Sequence, residues 1–281
     1  MMRALRSALL GVIGQSRPMT VRQVFYQAVS RGLVAKTETE YKSTIVRLLT
    51  DMRRSGELPC GWIVDNTRWM RKPQTHTGLG AALADMQEFY RRSLWQDQGA
   101  YVEVWLEKDA LAGVLYEITA RYDVPLMVTR GYPSLAFLAI AAEAIAIQKR
   151  PCFLYYFGDH DPSGVDIPRH TEAQLRELVA GWADDPAEVR ISFEVVAVTA
   201  AQIVEGNLPT RPTKKTDTRS KNFEGESVEV DAIPPGQLRD LVEEGILQHL
   251  DAAVLKRTKA IERQERESLA SLVEAFRGGR S

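Results

Sequence analysis

Beyond residue 100, the pattern of apolar and polar positions predicts alternating strands and helices. Three apolar runs of strand length, YVEVWL, PLMVTRG and CFLYYF, begin at residues 101, 125 and 152, and longer helical patterns separate them. Strands that alternate with helices form parallel sheets with helices on both faces. The pattern therefore predicts an α/β fold with a mainly parallel sheet flanked by helices.

The first 95 residues show helical periodicity instead. The stretch TVRQVFYQAVSRG predicts a helix with Thr20 as its N-cap and Gln23 completing a capping box. A second helical stretch, TETEYKSTIVRLLTDMRRSG, is followed by the β-prone CGWIVDNTRW. Two short helices followed by a wing are typical of a winged helix-turn-helix domain that binds duplex DNA.

Charge is divided unequally between these two parts. Residues 1–95 hold 15 Lys and Arg against 7 Asp and Glu, a net charge of +8, whereas the remainder holds 21 against 30, a net charge of −9. The division predicts two domains, 1–95 and 100–281, joined by a linker at Gln96–Gly99. A basic domain suggests a phosphate backbone as partner, and an acidic one suggests a site that gathers cations. A chance distribution of surface charge is the alternative.

Carboxylates follow two of the predicted strands. Glu107 comes directly after YVEVWL, and Asp159 and Asp161 follow CFLYYF in the turn GDHDPSG. The carboxyl ends of parallel strands meet at one edge of the sheet, where ligands bind. Oxygen ligands suit Mg²⁺, so the sequence predicts a magnesium site at this edge. The alternative is an Asp-rich turn that caps the following helix.

Several residues of the basic part are candidates for contact with DNA. Helical geometry places Tyr26 beside Arg22 on a polar stripe, facing away from the apolar face of its helix. On the second helix, Arg47 and Arg54 lie opposite the apolar stripe. These positions predict an exposed phenol next to a guanidinium and two arginines that contact DNA. An ordinary surface tyrosine is the alternative interpretation of Tyr26.

Four ordered motifs resemble one protein family. With EK after one strand and GDHDPSG after a later one, the second part resembles the Toprim domain of topoisomerases, primases and some nucleases. TVRQVFY is similar to the catalytic-tyrosine motif of the topoisomerase VI A subunit and the related meiotic double-strand-break protein. NLPTRPTKKTDTRSKNF and VEVDAIPPGQLRDLVEEGI also resemble stretches that follow Toprim in that family. The resemblance covers about residues 20–246.

The resemblance implies roles for individual residues. By that match, Tyr26 is the nucleophile and Arg22 assists it. Asp159 and Asp161 bind the metal. Glu107 is the Toprim glutamate, which either joins them as a metal ligand or returns a proton to the leaving sugar hydroxyl. The implied activity is DNA double-strand cleavage and rejoining through a tyrosine-linked intermediate.

The resemblance also implies partners for the chain. It implies a homodimer in which one protomer's tyrosine works against its partner's metal, with a site built within one chain as the alternative. A separate ATPase B subunit is a further implied partner, because this chain has no ATPase motif.

Two other functions stay open at this point. One is a Toprim nuclease in which water attacks and Tyr26 only binds DNA. The other is a DNA-binding scaffold without catalysis, for which an acidic pocket near phosphate has no use.

Composition excludes some classes of protein and site. The two cysteines, Cys60 and Cys152, lie far apart and outside any Cys or His cluster, which argues against a disulfide framework or a zinc site and fits the reducing cytoplasm. Association with the nucleoid is implied by the family resemblance. The longest apolar run, Leu135 to Ile147, is too short to cross a membrane and predicts a buried helix. The charged stretch LKRTKAIERQERESLASLVEAF predicts a helix that acts as a solvated cap or a dimer contact.

Overall fold

The computed structural model describes residues 2–64, 72–212, 223 and 226–278, and its centre is a parallel sheet. The strands are β1 Tyr101–Leu106, β2 Leu126–Val128, β3 Cys152–Phe157 and β4 Ile191–Ala197. They lie in the order β2-β1-β3-β4, and all neighbours are parallel. The predicted α/β class and the bounds of β1 and β3 are confirmed, β2 is shorter than predicted, and β4 is an additional edge strand.

Ten helices surround this sheet within the described ranges. They are α1 Met2–Ser16, α2 Val21–Ser30, α3 Arg47–Arg54, α4 Leu79–Phe89, α5 Ala112–Arg121, α6 Leu135–Ala146, α7 Pro162–Trp182, α8 Ala200–Glu205, α9 Pro235–Leu247 and α10 Ala252–Gly278. A π-helical segment, Glu40–Val46, leads into α3, and short 3₁₀ turns are formed by Cys60–Trp62, Asp109–Leu111 and Val230–Ala232.

Alternation along the strands builds an apolar layer on each face of the sheet. Val104 and Leu106 of β1 pack on one side with residues of α5 and α9, whereas Trp105 packs on the other with residues of α6 and α7. Successive strand residues point to opposite faces, so a strand buried on both faces reads as a continuous apolar run. This explains why YVEVWL and CFLYYF are so uniformly hydrophobic.

The N-terminal helices form as the sequence predicts. Thr20 Oγ1 accepts a hydrogen bond from the Gln23 N–H at 3.1 Å, and the Gln23 side chain accepts one from the Thr20 N–H at 2.9 Å, which confirms the capping box. The second predicted helix spans the π-helical segment and α3, and its stripe around Ile45 is buried. Residues 65–69 of the predicted wing lie outside the described residues.

The N-terminal helices share one core with the sheet. Leu9 of α1 and Ile45 belong to the same buried apolar cluster as Val104 of β1. The predicted linker is anchored as well, because the Gln98 side chain donates to the Asp251 carbonyl oxygen at 3.3 Å and accepts from the Asp251 N–H at 2.9 Å. The two-domain division stays a prediction.

The C-terminal helix α10 packs against α4 of the same chain. Arg92 Nη1 lies 2.6 Å from Glu265 Oε1, and the Tyr90 hydroxyl donates to Glu265 Oε2 at 2.7 Å. Helix α4 ends at Phe89, and the residues that follow it carry these contacts. The charged helix thus packs within its own chain, and its two predicted roles, a solvated cap or a dimer contact, stay predictions.

Helix α6 corrects the prediction of a fully buried segment. Leu138 and Ile145 are buried on one side, whereas Ile140 on the other side is 66% exposed. In the portion of the chain that the structure describes, no helix combines the length and apolar character needed to span a membrane.

Candidate functional site

The carboxyl ends of β1 and β3 bring Glu107 and Asp159 together. The strands pair in register, with Leu106 opposite Phe157, so both end at the same edge of the sheet. The Glu107 N–H donates to the Phe157 carbonyl oxygen at 2.9 Å, and the Asp159 N–H donates to Glu107 Oε2 at 3.1 Å. We call Glu107 and Asp159 the edge pair.

Two glycines permit this tight arrangement. A Cβ atom at Gly158 would lie 2.6 Å from Glu107 Oε2 and 2.6 Å from Tyr156 Cε1. A Cβ atom at Gly164 would lie 2.0 Å from the Asp159 carbonyl oxygen. Because both distances are shorter than nonbonded contact allows, the turn GDHDPSG needs glycine at both positions.

Burial makes the negative charge of the edge pair costly. The pKa of Glu107 is raised from 4.5 to about 7, mainly by burial and then by the charge of Asp159. Burial also raises the pKa of Asp159, although the neighbouring Lys108 opposes this shift. Carboxylates that are buried and close together favour the protonated form unless a cation offsets their charge.

Asp161 caps a helix, as the alternative interpretation of the turn describes. Its Oδ1 accepts hydrogen bonds from the N–H groups of Ser163 at 3.0 Å and Gly164 at 2.8 Å, at the start of α7. Its Oδ2 lies 3.4 Å from Arg211 Nη2. Among the residues that the structure describes, no three His, Cys, Asp or Glu side chains are grouped so as to hold a metal ion. Two of the three predicted ligands are therefore in contact, and the third has a structural task.

Lys108, which sequence reasoning did not single out, lies at the centre of the site. Its Nζ lies 3.0 Å from Asp159 Oδ1, 3.1 Å from Glu229 Oε2 and 2.8 Å from Asp231 Oδ2, and its side chain is 23% exposed. Burial alone would lower the pKa of Lys108, but the charges of Asp231, Asp159 and Glu229 together raise it above its usual value. The ammonium therefore stays charged and joins the edge pair to a second group of carboxylates.

That second group is Glu229 and Asp231, which we call the inner pair. Glu229 accepts hydrogen bonds from Arg22 Nε at 2.8 Å and Arg22 Nη2 at 3.0 Å, and another from Arg211 Nη1 at 2.8 Å. Burial acts to raise the pKa of Glu229, but hydrogen bonds from Arg22 and the charge of Lys108 hold it well below its usual value. Glu229 is thus ionised and fully paired.

Tyr26 is buried against the inner pair, so its predicted exposure is wrong. Its side chain is 2% exposed, and the Lys36 ammonium lies 5.3 Å from the centre of its ring. The 3₁₀ turn that follows Glu229 contacts α2 and covers the stripe that helical geometry assigned to solvent. Burial and the charge of Glu229 raise the pKa of Tyr26 well above 10, whereas Arg22 and Lys108 lower it.

We call the residues that these hydrogen bonds, ion pairs and charge interactions connect the polar cluster. Its members are Arg22, Tyr26, Glu107, Lys108, Asp159, Arg211, Glu229 and Asp231. The burial of Tyr26 in its own chain leaves both the site shared between protomers and the site built within one chain as predictions. Arg47 and Arg54 are exposed on α3 and are not members of the cluster.

No protein-family model and no curated protein match the chain. The resemblance carried by its motifs stays a prediction, and functional inference depends on the geometry of the polar cluster.

Two signals in the sequence point to the residues that were missed. Lys108 directly follows Glu107, so a cation accompanies the carboxylate at the end of β1. In VEVDAI, the acids Glu229 and Asp231 alternate with apolar residues, and both are buried. Acidic residues in a buried apolar run require partners, because an unpaired buried charge is strongly destabilising.

Proposed function

We propose that this protein cleaves and rejoins duplex DNA by tyrosine transesterification, as the A-type subunit of a type IIB topoisomerase-like system. The observation that carries the proposal is the burial of Tyr26 on the helix of Arg22, whose partner Glu229 is joined through Lys108 to Asp159 of the edge pair. A buried phenol linked in this way to cations and to a strand-edge carboxylate has the groups that phosphoryl transfer requires.

In the proposed reaction, the Tyr26 oxygen attacks the phosphorus of a DNA phosphodiester. The bond between phosphorus and the leaving sugar oxygen breaks, and that oxygen takes up a proton. One DNA end stays joined to Tyr26 through a phosphotyrosyl bond, and reversal of the step rejoins the strand. The positive charges of Arg22 and Lys108 favour loss of the phenol proton to water, and Glu107, when it does not hold the ion, is suited to donate a proton to the sugar oxygen.

Mg²⁺ remains the proposed cofactor, with the edge pair as its protein ligands. The donors are oxygen atoms, and Mg²⁺ in proteins is commonly held by one or two carboxylates, with water and substrate phosphate completing its shell. Asp161 is the third ligand by the sequence motif, although in the described arrangement it caps α7. The ion would supply positive charge next to the phosphate that reacts.

Finer features of the fold belong to the same proposal. We assign the sheet and its helices to the Toprim fold, and α2, α3 and the segment after them to a winged helix that binds DNA through Arg47 and Arg54. The working unit is a homodimer, because cutting both strands requires two nucleophiles related by the two-fold symmetry of the duplex. An ATPase B subunit would act with this dimer, and the expected compartment is the nucleoid region of the cytoplasm.

The test uses a duplex whose leaving oxygen is replaced by sulfur. A bridging phosphorothiolate releases a thiolate that rejoins poorly, so the covalent product accumulates without a partner subunit. We expect incubation with Mg²⁺ to give DNA linked to protein on denaturing gels, and we expect Tyr26→Phe to abolish it. Tyr116→Phe is the matched control, because Tyr116 is 61% exposed on α5, away from the cluster.

The same gels distinguish the alternatives. Cut DNA without attached protein, unaffected by Tyr26→Phe, would indicate the nuclease. Binding without any cut, on duplexes with sulfur at either the 3′ or the 5′ position, would indicate the scaffold.

A further inference from the structure

We propose that a cavity between α5, α10 and the segment after α4 binds the phosphate groups of a nucleotide, either free or within a nucleic-acid strand. We call it the cationic cavity. Its lining residues are Arg91, Leu94, Arg121, Lys259, Glu262, Arg263 and Arg266. The site is separate from the polar cluster, and the inference does not depend on the proposed cleavage of DNA.

The lining of the cationic cavity is dominated by positive charge. The cavity has a volume of about 310 Å³, and five Lys and Arg side chains line it together with one carboxylate, that of Glu262. A further carboxylate offsets one of the five, because Arg121 Nη1 lies 3.1 Å from Glu243 Oε1. The lining therefore keeps an excess of positive charge. Clefts lined by one sign of charge attract and concentrate ions of the opposite sign.

Two of the guanidinium groups are held in place without being neutralised. Arg91 Nη1 donates to the Ala120 carbonyl oxygen at 2.7 Å, near the end of α5. Arg266 Nη2 donates to the Glu88 carbonyl oxygen at 2.9 Å, near the end of α4. A carbonyl oxygen orients a guanidinium and leaves its positive charge intact. A planar guanidinium fixed in this way has further N–H groups that match the oxygen atoms of a phosphate.

Two other cations of the lining have no partner in the part of the chain that the structure describes. Lys259 and Arg263 are exposed and lie four positions apart on α10, so they share one face of the helix. Neither forms an ion pair or a hydrogen bond with another described residue. Like charges around one cavity repel one another, and an anion bound between them would offset that repulsion.

A second cavity favours a nucleotide over a simple inorganic ion. It has a volume of about 400 Å³ and shares Lys259 and Arg263 with the cationic cavity. Its other lining residues are Ala252, Leu255, Lys256 and Ala260. A ligand with phosphate at one end and a flat, less polar ring at the other would contact both cavities. Nucleotides have this combination of groups.

The cationic cavity lies at the edge of the sheet opposite the polar cluster. Arg121 ends α5, shortly before β2 begins at Leu126, and Leu94 precedes β1, so the cavity is near the amino ends of the strands. The edge pair follows the carboxyl ends of β1 and β3. Because β1 has six residues, the two edges are about 20 Å apart. A phosphate in the cationic cavity is therefore not the phosphate next to Tyr26.

The phosphate site is tested with inorganic pyrophosphate, titrated into the full chain by isothermal titration calorimetry at low salt and without divalent ions. We expect binding to the unmodified protein. Replacing both Lys259 and Arg263 by alanine should weaken it by at least about tenfold, since charge-assisted hydrogen bonds are lost. The matched control replaces Lys149 and Arg257 by alanine, which removes the same charge from exposed positions outside both cavities and should preserve binding.

Two results would overturn the phosphate site. One is the absence of pyrophosphate binding to the unmodified protein, and the other is equal affinity of the two double variants for pyrophosphate.

ATP and a short DNA duplex distinguish the two sources of phosphate. If the ligand is a free nucleotide, ATP should bind more tightly than pyrophosphate, and the two double variants should have equal affinity for the duplex. If it is a nucleic-acid strand, the variant of Lys259 and Arg263 should bind the duplex more weakly than the control, with a smaller dependence on salt. ATP that binds no more tightly than pyrophosphate, together with equal duplex affinities, would overturn the assignment to nucleotides.

Discussion

The edge pair is half-buried and the inner pair is buried, and the two pairs also differ in electrostatic state. Glu107 of the edge pair accepts a backbone N–H and faces another carboxylate, and its pKa is raised to about 7. Glu229 of the inner pair is bound by Arg22, Lys108 and Arg211, and its pKa is held well below the usual value. Burial acts in the same direction on both, so the difference comes from their partners.

This difference separates two tasks within one cluster. The inner pair is satisfied by protein cations, and it ties α2 to the end of β1 and to the segment around Arg211. The edge pair has fewer cationic partners, and burial raises the pKa of both of its carboxyl groups, which is the condition of a site that receives a cation or a proton. One carboxylate pair thus organises the site, and the other is available for chemistry.

The largest expected effect is on formation of the covalent DNA product, and it tests whether Tyr26 and Glu107 of the same chain act at one site. We expect a mixture of Tyr26→Phe and Glu107→Ala proteins, allowed to exchange subunits, to give no covalent product on the phosphorothiolate duplex, because Tyr26 and Glu107 of one chain belong to the same cluster. A mixture of Tyr116→Phe with Glu107→Ala is the positive control. Covalent product in the first mixture would show that sites are shared between protomers. The edge pair and the inner pair of one chain would then not act on the same tyrosine.

The next largest effect is on stability. Glu229→Gln leaves three cations near an uncharged amide, and we expect it to lower the free energy of unfolding by about 3–5 kcal/mol, as removal of one partner from a buried ion pair does. Urea denaturation near neutral pH measures this change. The control is Glu172→Gln, which disrupts the exposed pair with Arg176 and should cost no more than about 1 kcal/mol. Equal effects of the two variants would contradict the role of the inner pair.

Glu107→Gln should have the opposite sign and depend on pH. Because the folded pKa of Glu107 exceeds its unfolded value of 4.5, ionisation of Glu107 destabilises the fold as pH rises from about 4.5 to about 7. The variant lacks this penalty, so its stability relative to the unmodified protein should rise over that range by about 3 kcal/mol and then level off.

The measurement is urea denaturation at a series of pH values, with the exposed Glu143→Gln as control. If the difference in free energy of unfolding between Glu107→Gln and the unmodified protein does not change across this range, ionisation of Glu107 does not destabilise the fold.

The smallest effect lies outside both pairs. Replacing Arg47 and Arg54 by alanine should reduce the dependence of duplex affinity on salt by about one to two units of slope, because each arginine at a phosphate releases counterions. Fluorescence anisotropy at several salt concentrations, with Tyr26→Phe protein, measures the slope. Arg169→Ala, at a side chain 74% exposed on α7, should leave it unchanged. An unchanged salt dependence in the double variant would show that Arg47 and Arg54 of α3 do not contact the DNA phosphates.

The sequence predicts the edge pair better than the inner pair for a topological reason. Glu107 and Asp159 each end a recognisable strand, and parallel pairing brings such ends together regardless of loop length. The contact between Lys108 and Glu229 joins positions 121 apart, and that between Arg22 and Glu229 joins positions 207 apart. No local pattern specifies such pairings.

The error at Tyr26 has the same origin. Helical periodicity correctly identifies which residues of α2 share a face, but it cannot show that a distant turn covers the polar face. Edge strand β4 was missed because only part of it is buried, so its pattern lacks the continuous apolar run of β1 and β3. Local chemistry therefore predicts elements and caps, whereas contacts between distant segments decide burial.

The close approach at Gly158 has an evolutionary consequence. Any larger residue at this position would press on Glu107 and on the buried ring of Tyr156. A substitution there requires the Glu107 carboxyl and the buried Tyr156 ring to shift, and the ring is the harder of the two to move because the carboxyl ends a flexible side chain. Descendants that lose the glycine are therefore expected to change position 156 as well.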